Sequence, residues 1–206
     1  MPYEVSKIPE AFAQVPVMVK LVVVYHSGFG HTRRVAEYVA SGAASVPDTH
    51  VILIAVDEVK DDFTPFNEAD GIIFGSPTYM GSVSWQFKKF ADASSKQWFA
   101  QEWKDKIAAG FTNSAGMNGD KQGTLTTLFT LAMQHGMIWV SQGLMPSNTR
   151  AATRDDVNYL VSYSGAIAQS PSDAGADAMS AGDLETARLF GERVAQVTQR
   201  FRKQVG

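Results

Sequence analysis

Apolar positions recur in two alternating patterns along the 206-residue chain. Short runs of consecutive aliphatic residues predict strands buried on both faces: Lys20–Tyr25 (KLVVVY), Val51–Val56 (VILIAV), Gly71–Gly75 (GIIFG), Lys106–Thr112 (KIAAGFT) and Met137–Ser141 (MIWVS). Between them, apolar residues fall at helical spacing. Thr32–Ser45 carries Val35, Ala36, Val39, Ala40 and Ala43; Ser84–Ser94 carries Trp85, Phe87 and Phe90. Gln122–His135 carries Leu125, Leu128, Phe129 and Ala132, and Asp183–Lys203 carries Leu184, Ala187, Phe190, Val194 and Val197. Asp57–Asp70 reads as an acidic loop. Strands that alternate with helices and lack hairpin turns imply right-handed βαβ units. The expectation is a three-layer α/β domain over residues 19–206, with a doubly wound sheet of five parallel strands.

Two stretches fall outside this rhythm. Residues 1–18, broken by Glu4, Lys7, Glu10 and prolines 2, 9 and 16, lack the apolar core of a secretory leader and read as an arm before the fold. Residues 143–182 form a long irregular segment rich in Ser, Ala and Asp, with a short helix expected over Asp155–Val161. Segments of this length commonly act as lids or interface elements.

Composition removes whole classes of function. A hydrophobic share of 45%, with 12 Phe, 6 Tyr and 4 Trp, requires a packed core. A net charge of −3 offers no field for a nucleic-acid backbone. With no cysteine, disulfides, thiolate metal sites and a cysteine nucleophile are all excluded. His26, His31, His50 and His135 lack metal-ligand spacing, so no metal site is expected. No apolar run approaches the ~18 residues of a spanning helix, and a cytoplasmic protein without a membrane span is expected.

Open sheets of this kind bind ligands beyond the carboxyl ends of their strands. Three loops there hold the candidate chemistry. Ser27-Gly28-Phe29-Gly30-His31-Thr32 combines hydroxyls and turn-forming glycines with the start of a helix, whose free N–H groups and dipole favour an anion. Ser76-Pro77-Thr78-Tyr79-Met80-Gly81 follows the third strand and offers a hydroxyl, main-chain donors and an aromatic face. Asn113-Ser114-Ala115-Gly116-Met117-Asn118-Gly119 follows the fourth strand with small and amide residues. Each alone is compatible with plain turn chemistry. Together they describe a mononucleotide with its phosphate on the first loop and its ring between the other two. The first loop is not a P-loop, since no Gly-Lys pair exists. The dinucleotide fingerprint is half met by Gly28 and Gly30, but Arg33 stands where its third glycine belongs; Asp57 could serve as the ribose carboxylate.

On these residues the chain resembles flavodoxin-like flavoproteins, most nearly the WrbA-type NAD(P)H:quinone oxidoreductases and the NADPH-dependent FMN reductases. Ser27-x-x-Gly30-His31 is similar to the family's FMN-phosphate loop, and Ile73–Gly81 (IFGSPTYMG) to the stretch beside its isoalloxazine ring. Phe111–Ser114 leads into the third flavin loop, and His135-Gly136-Met137 resembles a segment whose histidine lies near the flavin. Leu184–Gly191 is similar to the closing helix. The resemblance implies the strand order 2-1-3-4-5 and FMN as cofactor. It implies NADH or NADPH as hydride donor, a quinone-like acceptor and a homodimer or homotetramer.

Residue by residue, it places Ser27, Gly28, Phe29, Gly30, His31, Thr32, Pro77, Thr78, Tyr79, Met80, Asn113, Ser114, Ala115, Gly116, Gly119 and His135 on the cofactor. Thr78 and His135 would act in catalysis, and Phe29 and Trp98 would wall a slot for donor and acceptor. Arg33, Arg34, Arg150 and Arg154 are surface candidates for a nucleotide phosphate. Two departures stand out: the Asp57–Asp70 linker is short for a WrbA-type chain, and its G-[ST]-PYG stretch is only echoed at Tyr163-Ser164-Gly165. An FMN carrier without its own small substrate is the competing function, and a cofactor-free interaction protein a third.

Overall fold

The computed structural model describes residues 18–205; the expected arm, apart from Met18, lies outside the described residues. Strands β1 (Val19–Tyr25), β2 (Thr49–Ala55), β3 (Gly71–Tyr79) and β5 (Ile107–Ser114) run parallel in the order β2-β1-β3-β5. A two-residue strand, β4 (Ser82–Val83), folds back antiparallel on the end of β3. Strands β3 and β5 extend into the second and third candidate loops, so Ser76–Tyr79 and Asn113–Ser114 are held by the sheet itself.

The fifth position differs from the expected Met137–Ser141. It is shared by β6 (Ile138–Trp139), paired with the start of β5, and β7 (Ala166–Gln169), paired with its end. The chain follows the sheet until the Val140 N–H donates to Ala108 O at 2.8 Å, and Gly143, at φ 70°, then turns it outward. It returns at Gly165, where a Cβ would lie 2.2 Å from the Gly110 carbonyl oxygen. Only glycine tolerates that approach. The order 2-1-3-4-5 therefore holds, with an edge strand interrupted by an insertion.

Helices α1 (His31–Ala44) and α6 (Ala181–Val205) cover one face, and α3 (Trp85–Ala93) and α5 (Lys121–Gln134) the other. Successive residues of β1 feed opposite cores, as the pleat requires. Val23 joins Val35, Val39, Phe190 and Val194 on the first face, while Val22 and Val24 join Phe87, Leu125 and Leu128 on the second. Between α1 and α6 the backbones touch: a Cβ on Gly42 would lie 1.8 Å from Arg188 O.

Asp57–Asp70 is more than a loop. A 3-10 turn at Val56–Glu58 and the one-turn helix α2 (Thr64–Asn67) insert Phe63 and Phe66 beside Phe90 and Trp103, with ring centroids 5.3–6.4 Å apart. The helix expected at Asp155–Val161 does not form. Asn158 and Val161 adopt φ 53° and 54°, and the Asn158 N–H donates to Thr186 Oγ1 at 2.8 Å instead of to a helical carbonyl. Among the described residues, no helix is long and apolar enough to cross a membrane.

Candidate functional site

The carboxyl ends of β1, β3, β5 and β7 converge on a cavity of about 640 Å³. From the first loop come Ser27, Gly28, Phe29, His31 and Thr32; from β3, Pro77, Thr78 and Tyr79; from β5, Asn113, Ser114 and Ala115. The first loop is shaped by Gly30, whose φ of 90° turns the chain into α1 and whose N–H donates to Ser27 Oγ at 3.1 Å. Among the described residues no side chain caps α1, and no acidic residue sits in its first turn. Its leading N–H groups and the positive end of its dipole are left for an anion. Gly28 is constrained by the second loop, because a Cβ there would approach Tyr79 Oη to 2.8 Å.

Thr78 sits at a hydroxyl junction. Its Oγ1 is 2.8 Å from Thr112 Oγ1 and 2.7 Å from Thr124 Oγ1, all three residues being buried. Such a junction fixes the rotamer that ends β3. Burial raises the Tyr79 phenol above its ordinary value, so it stays neutral and a donor near neutral pH. Asn113 donates from Nδ2 to Ser170 Oγ at 2.8 Å, while its buried Oδ1 has no partner among the described residues. A buried acceptor left open inside a cavity calls for a ligand N–H or O–H. With the uncapped helix start, this donor and acceptor pattern fits FMN: anion at one end, polar edge at the other, and the planar Phe29 and Tyr79 rings between.

One wall was missed in the sequence. Residues 170–175, which leave β7, line the cavity with Ser170, Pro171, Ser172, Asp173, Ala174 and Gly175. They are tied down by His31 Nε2, 2.9 Å from Ala174 O, and by Gln169 Nε2, which donates to Ala115 O at 2.8 Å. The sequence places them only within the irregular segment 143–182, expected as a lid or interface element.

Several expected residues lie elsewhere. His135 ends α5 at the opposite end of the sheet, where Gly136 O accepts the N–H of Asp105 just before β5. Its ring stacks on Trp103 at 4.1 Å and its Nε2 is 2.9 Å from Ser94 Oγ. Burial lowers its pKa to about 4. Trp98 belongs to α4 (Ser95–Phe99), beyond the far end of α3, and is half-exposed away from the cavity. Met80, at φ 49°, is swung fully into solvent by the turn between β3 and β4. Gly30 shapes the first loop without lining the cavity, and Gly116 and Gly119 are not among its lining residues, Gly116 O being held by Lys121. Of the arginines, Arg33 pairs with Glu37 at 3.0 Å, and Arg154 pairs with Asp183 at 2.7 Å.

A sequence profile of the NADPH-dependent FMN reductase family matches residues 19–151. The chain belongs to this family. Flavodoxin FldP of Pseudomonas aeruginosa is 52% identical over 188 residues, covering 89% of this chain and 99% of that protein. An NAD(P)H dehydrogenase (quinone) of Acidithiobacillus ferrooxidans is 30% identical over 205 residues, again 89% of this chain and 99% of the relative. Among solved structures, a flavodoxin, WrbA-like protein from Agrobacterium tumefaciens is 49% identical. It superposes with a TM-score of 0.69 over 88% of this chain and 98% of its own. The family and the WrbA-like resemblance read from the loops are thereby shown.

Proposed function

We propose that this family member is an FMN-dependent oxidoreductase that takes hydride from NADH or NADPH and passes two electrons to a quinone-class acceptor. The observation that carries the proposal is the cavity itself, with the uncapped start of α1 at one end and the orphaned Asn113 Oδ1 at the other. Bound FMN supplies the hydride and two-electron chemistry. Ser27, Thr32 and the first-turn N–H groups of α1 hold its phosphate. Asn113 Oδ1 accepts from the polar edge of the cofactor, and Thr78, locked by Thr112 and Thr124, keeps the β3 edge rigid against the ring. Phe29, 81% exposed at the mouth, forms one side of a slot that donor and acceptor occupy in turn. A shared slot predicts ping-pong kinetics. The same reading expects a cytoplasmic homodimer or homotetramer, for which the exposed Trp85, Trp98 and Phe99 of α3 and α4 offer apolar surface.

A second reading, an FMN carrier serving other proteins, is favoured by the 52% identity to a relative named a flavodoxin. Anaerobic titration of the FMN-loaded protein with NADH and with NADPH, followed by the flavin's visible absorption, separates the two. Rapid bleaching reversed by a quinone supports the oxidoreductase. A flavin that stays yellow supports the carrier, and failure to bind FMN removes both.

A further inference from the structure

Lys121 is the first residue of α5, where a cation opposes the helix dipole, and it is only 2% exposed. A buried ammonium is costly unless its protons are matched. Here they are matched locally: Nζ donates to the carbonyl oxygens of Gly116, Met117 (3.2 Å) and Asn118 (3.4 Å). Three ammonium protons thus meet three successive carbonyls. The loop closes on this charge with two left-handed residues, Gly119 at φ 55° and Asp120 at φ 54°.

In a trans peptide the C=O and N–H of one plane point in opposite directions. Carbonyls 116, 117 and 118 turn inward to Lys121, so the N–H groups of Met117, Asn118 and Gly119 turn away from it. None of these three N–H groups donates to an acceptor among the described residues. The loop is therefore a set of open main-chain donors backed by a buried positive charge, directly following the Asn113–Ala115 wall of the cavity. Backbone N–H arrays of this sort favour negative charge, and hydrogen bonding of the carbonyls to an ammonium strengthens the donors on the same peptide groups.

We propose that Lys121 is the positioning residue of the third loop: its ammonium holds the loop's carbonyls inward and thereby presents the N–H groups of Met117, Asn118 and Gly119 to negative charge on the cofactor. The identity of that cofactor rests on the FMN reading above; the clamp itself does not. Lys121 touches no reacting atom and acts through the loop. Burial lowers its pKa to about 8, with Asp183 on α6 opposing that shift and Arg154 of the insertion adding to it. Tyr159 and Tyr163 face it across a second cavity of about 400 Å³. A lysine depressed in this way is charged below about pH 8 and loses its charge above, when the neutral amine keeps two protons for three carbonyls.

The test uses the apo-protein and the FMN-loaded protein side by side. Amide hydrogen exchange of residues 115–119 is measured in apo wild type from pH 6.5 to 9.5, normalised to β1 and β3, and in Lys121→Met at pH 7. The clamp predicts normalised exchange about tenfold or more faster in Lys121→Met, with wild type approaching that rate above pH 8. On loaded protein, Lys121→Met weakens FMN binding about tenfold and lowers the flavin midpoint potential, and the pH dependence seen in wild type near pH 8 disappears. Lys121→Arg, which keeps the charge, restores the potential at least in part. Loop exchange that is independent of both pH and Lys121 overturns the proposal. If Lys121→Met does not fold, the wild-type pH series alone decides. Exchange that behaves as predicted in a protein that binds no FMN would keep the clamp and reject the cofactor.

Discussion

Acidification offers a sharp test of where His135 belongs. The Ser94 hydroxyl donates to Ala91 O at 2.7 Å, so it accepts from the His135 Nε2–H at 2.9 Å, and Nδ1 is left buried with no partner among the described residues. Protonation would place a second N–H at that empty position, in a ring stacked on Trp103. The neutral form is therefore favoured, and the pKa falls from 6.5 to about 4. A pKa depressed on folding means the unfolded chain takes the proton first. The stabilisation is complete above pH 6.5 and is lost as pH falls toward 4. From those two values the loss is about 2 kcal/mol at pH 5 and about 3 kcal/mol at pH 4. The assay compares wild type with His135→Phe, which keeps an aromatic ring on Trp103 and leaves Ser94 bonded to Ala91. Urea unfolding followed by circular dichroism at pH 7.5 and 5.0 gives the loss for each; carboxylates titrate in both and cancel. The variant should lose about 2 kcal/mol less than wild type, while binding FMN equally well at pH 7.5. Equal losses would refute the neutral buried histidine. A folded variant with collapsed FMN affinity would return His135 to the site.

Other substitutions probe the cavity and its frame. Ser27→Ala combined with Thr32→Ala should weaken FMN binding by on the order of 10- to 100-fold, read by quenching of flavin fluorescence, because two hydroxyls near an anion are lost. Unchanged affinity would exclude the phosphate role of the first loop. Thr78→Val removes the hydroxyl shared by Thr112 and Thr124 and should cost about 1–3 kcal/mol in urea unfolding; it should alter the flavin potential more than FMN affinity. Gly42→Ala should cost about 3 kcal/mol, at the upper end of overpacking penalties, since its Cβ would overlap the Arg188 carbonyl. A melting temperature equal to wild type would show that α1 and α6 separate without cost.

The core strands were legible because burial on both faces leaves no room for alternation: Val22, Val23 and Val24 each meet a core. The first three walls of the cavity were legible for a related reason, since they follow strands directly and their order is set by the sheet. What stayed hidden depended on contacts distant in the chain. Phe63 and Phe66 are two aromatics in an acidic stretch, too few for a period, and only Trp103 and Phe90 give them a place. Val161 at φ 54° breaks a local preference that sequence reasoning trusts, because Asn158 holds the Ser162 N–H at 3.0 Å and Leu144 O at 3.0 Å. The His135-Gly136-Met137 motif carries no information about which end of α5 meets the cavity.

The interrupted edge strand ties these observations to function. An unbroken fifth strand would end near residue 141, and nothing would then pair with the far half of β5. Because the chain leaves and returns, β7 pairs with Phe111–Ser114, the half of β5 that borders the cavity, and its exit delivers residues 170–175 as the fourth wall. That wall is positioned from both sides: Ser170 binds Asn113 in the third loop, and Ala174 binds His31 at the start of α1. The return path depends in turn on Asp183, which accepts the Gln169 N–H at 2.8 Å while forming a two-point pair with Arg154 of the insertion. Removing the partly exposed Arg154 leaves the buried Asp183 carboxylate short of a partner and should cost about 1–3 kcal/mol. Damage at Arg154 would thus be transmitted to Gln169 and the loop beyond it, loosening the wall of a cavity that Arg154 does not line. The insertion, which in sequence reads as a lid or interface element, thus governs how the fourth wall of the cavity is held.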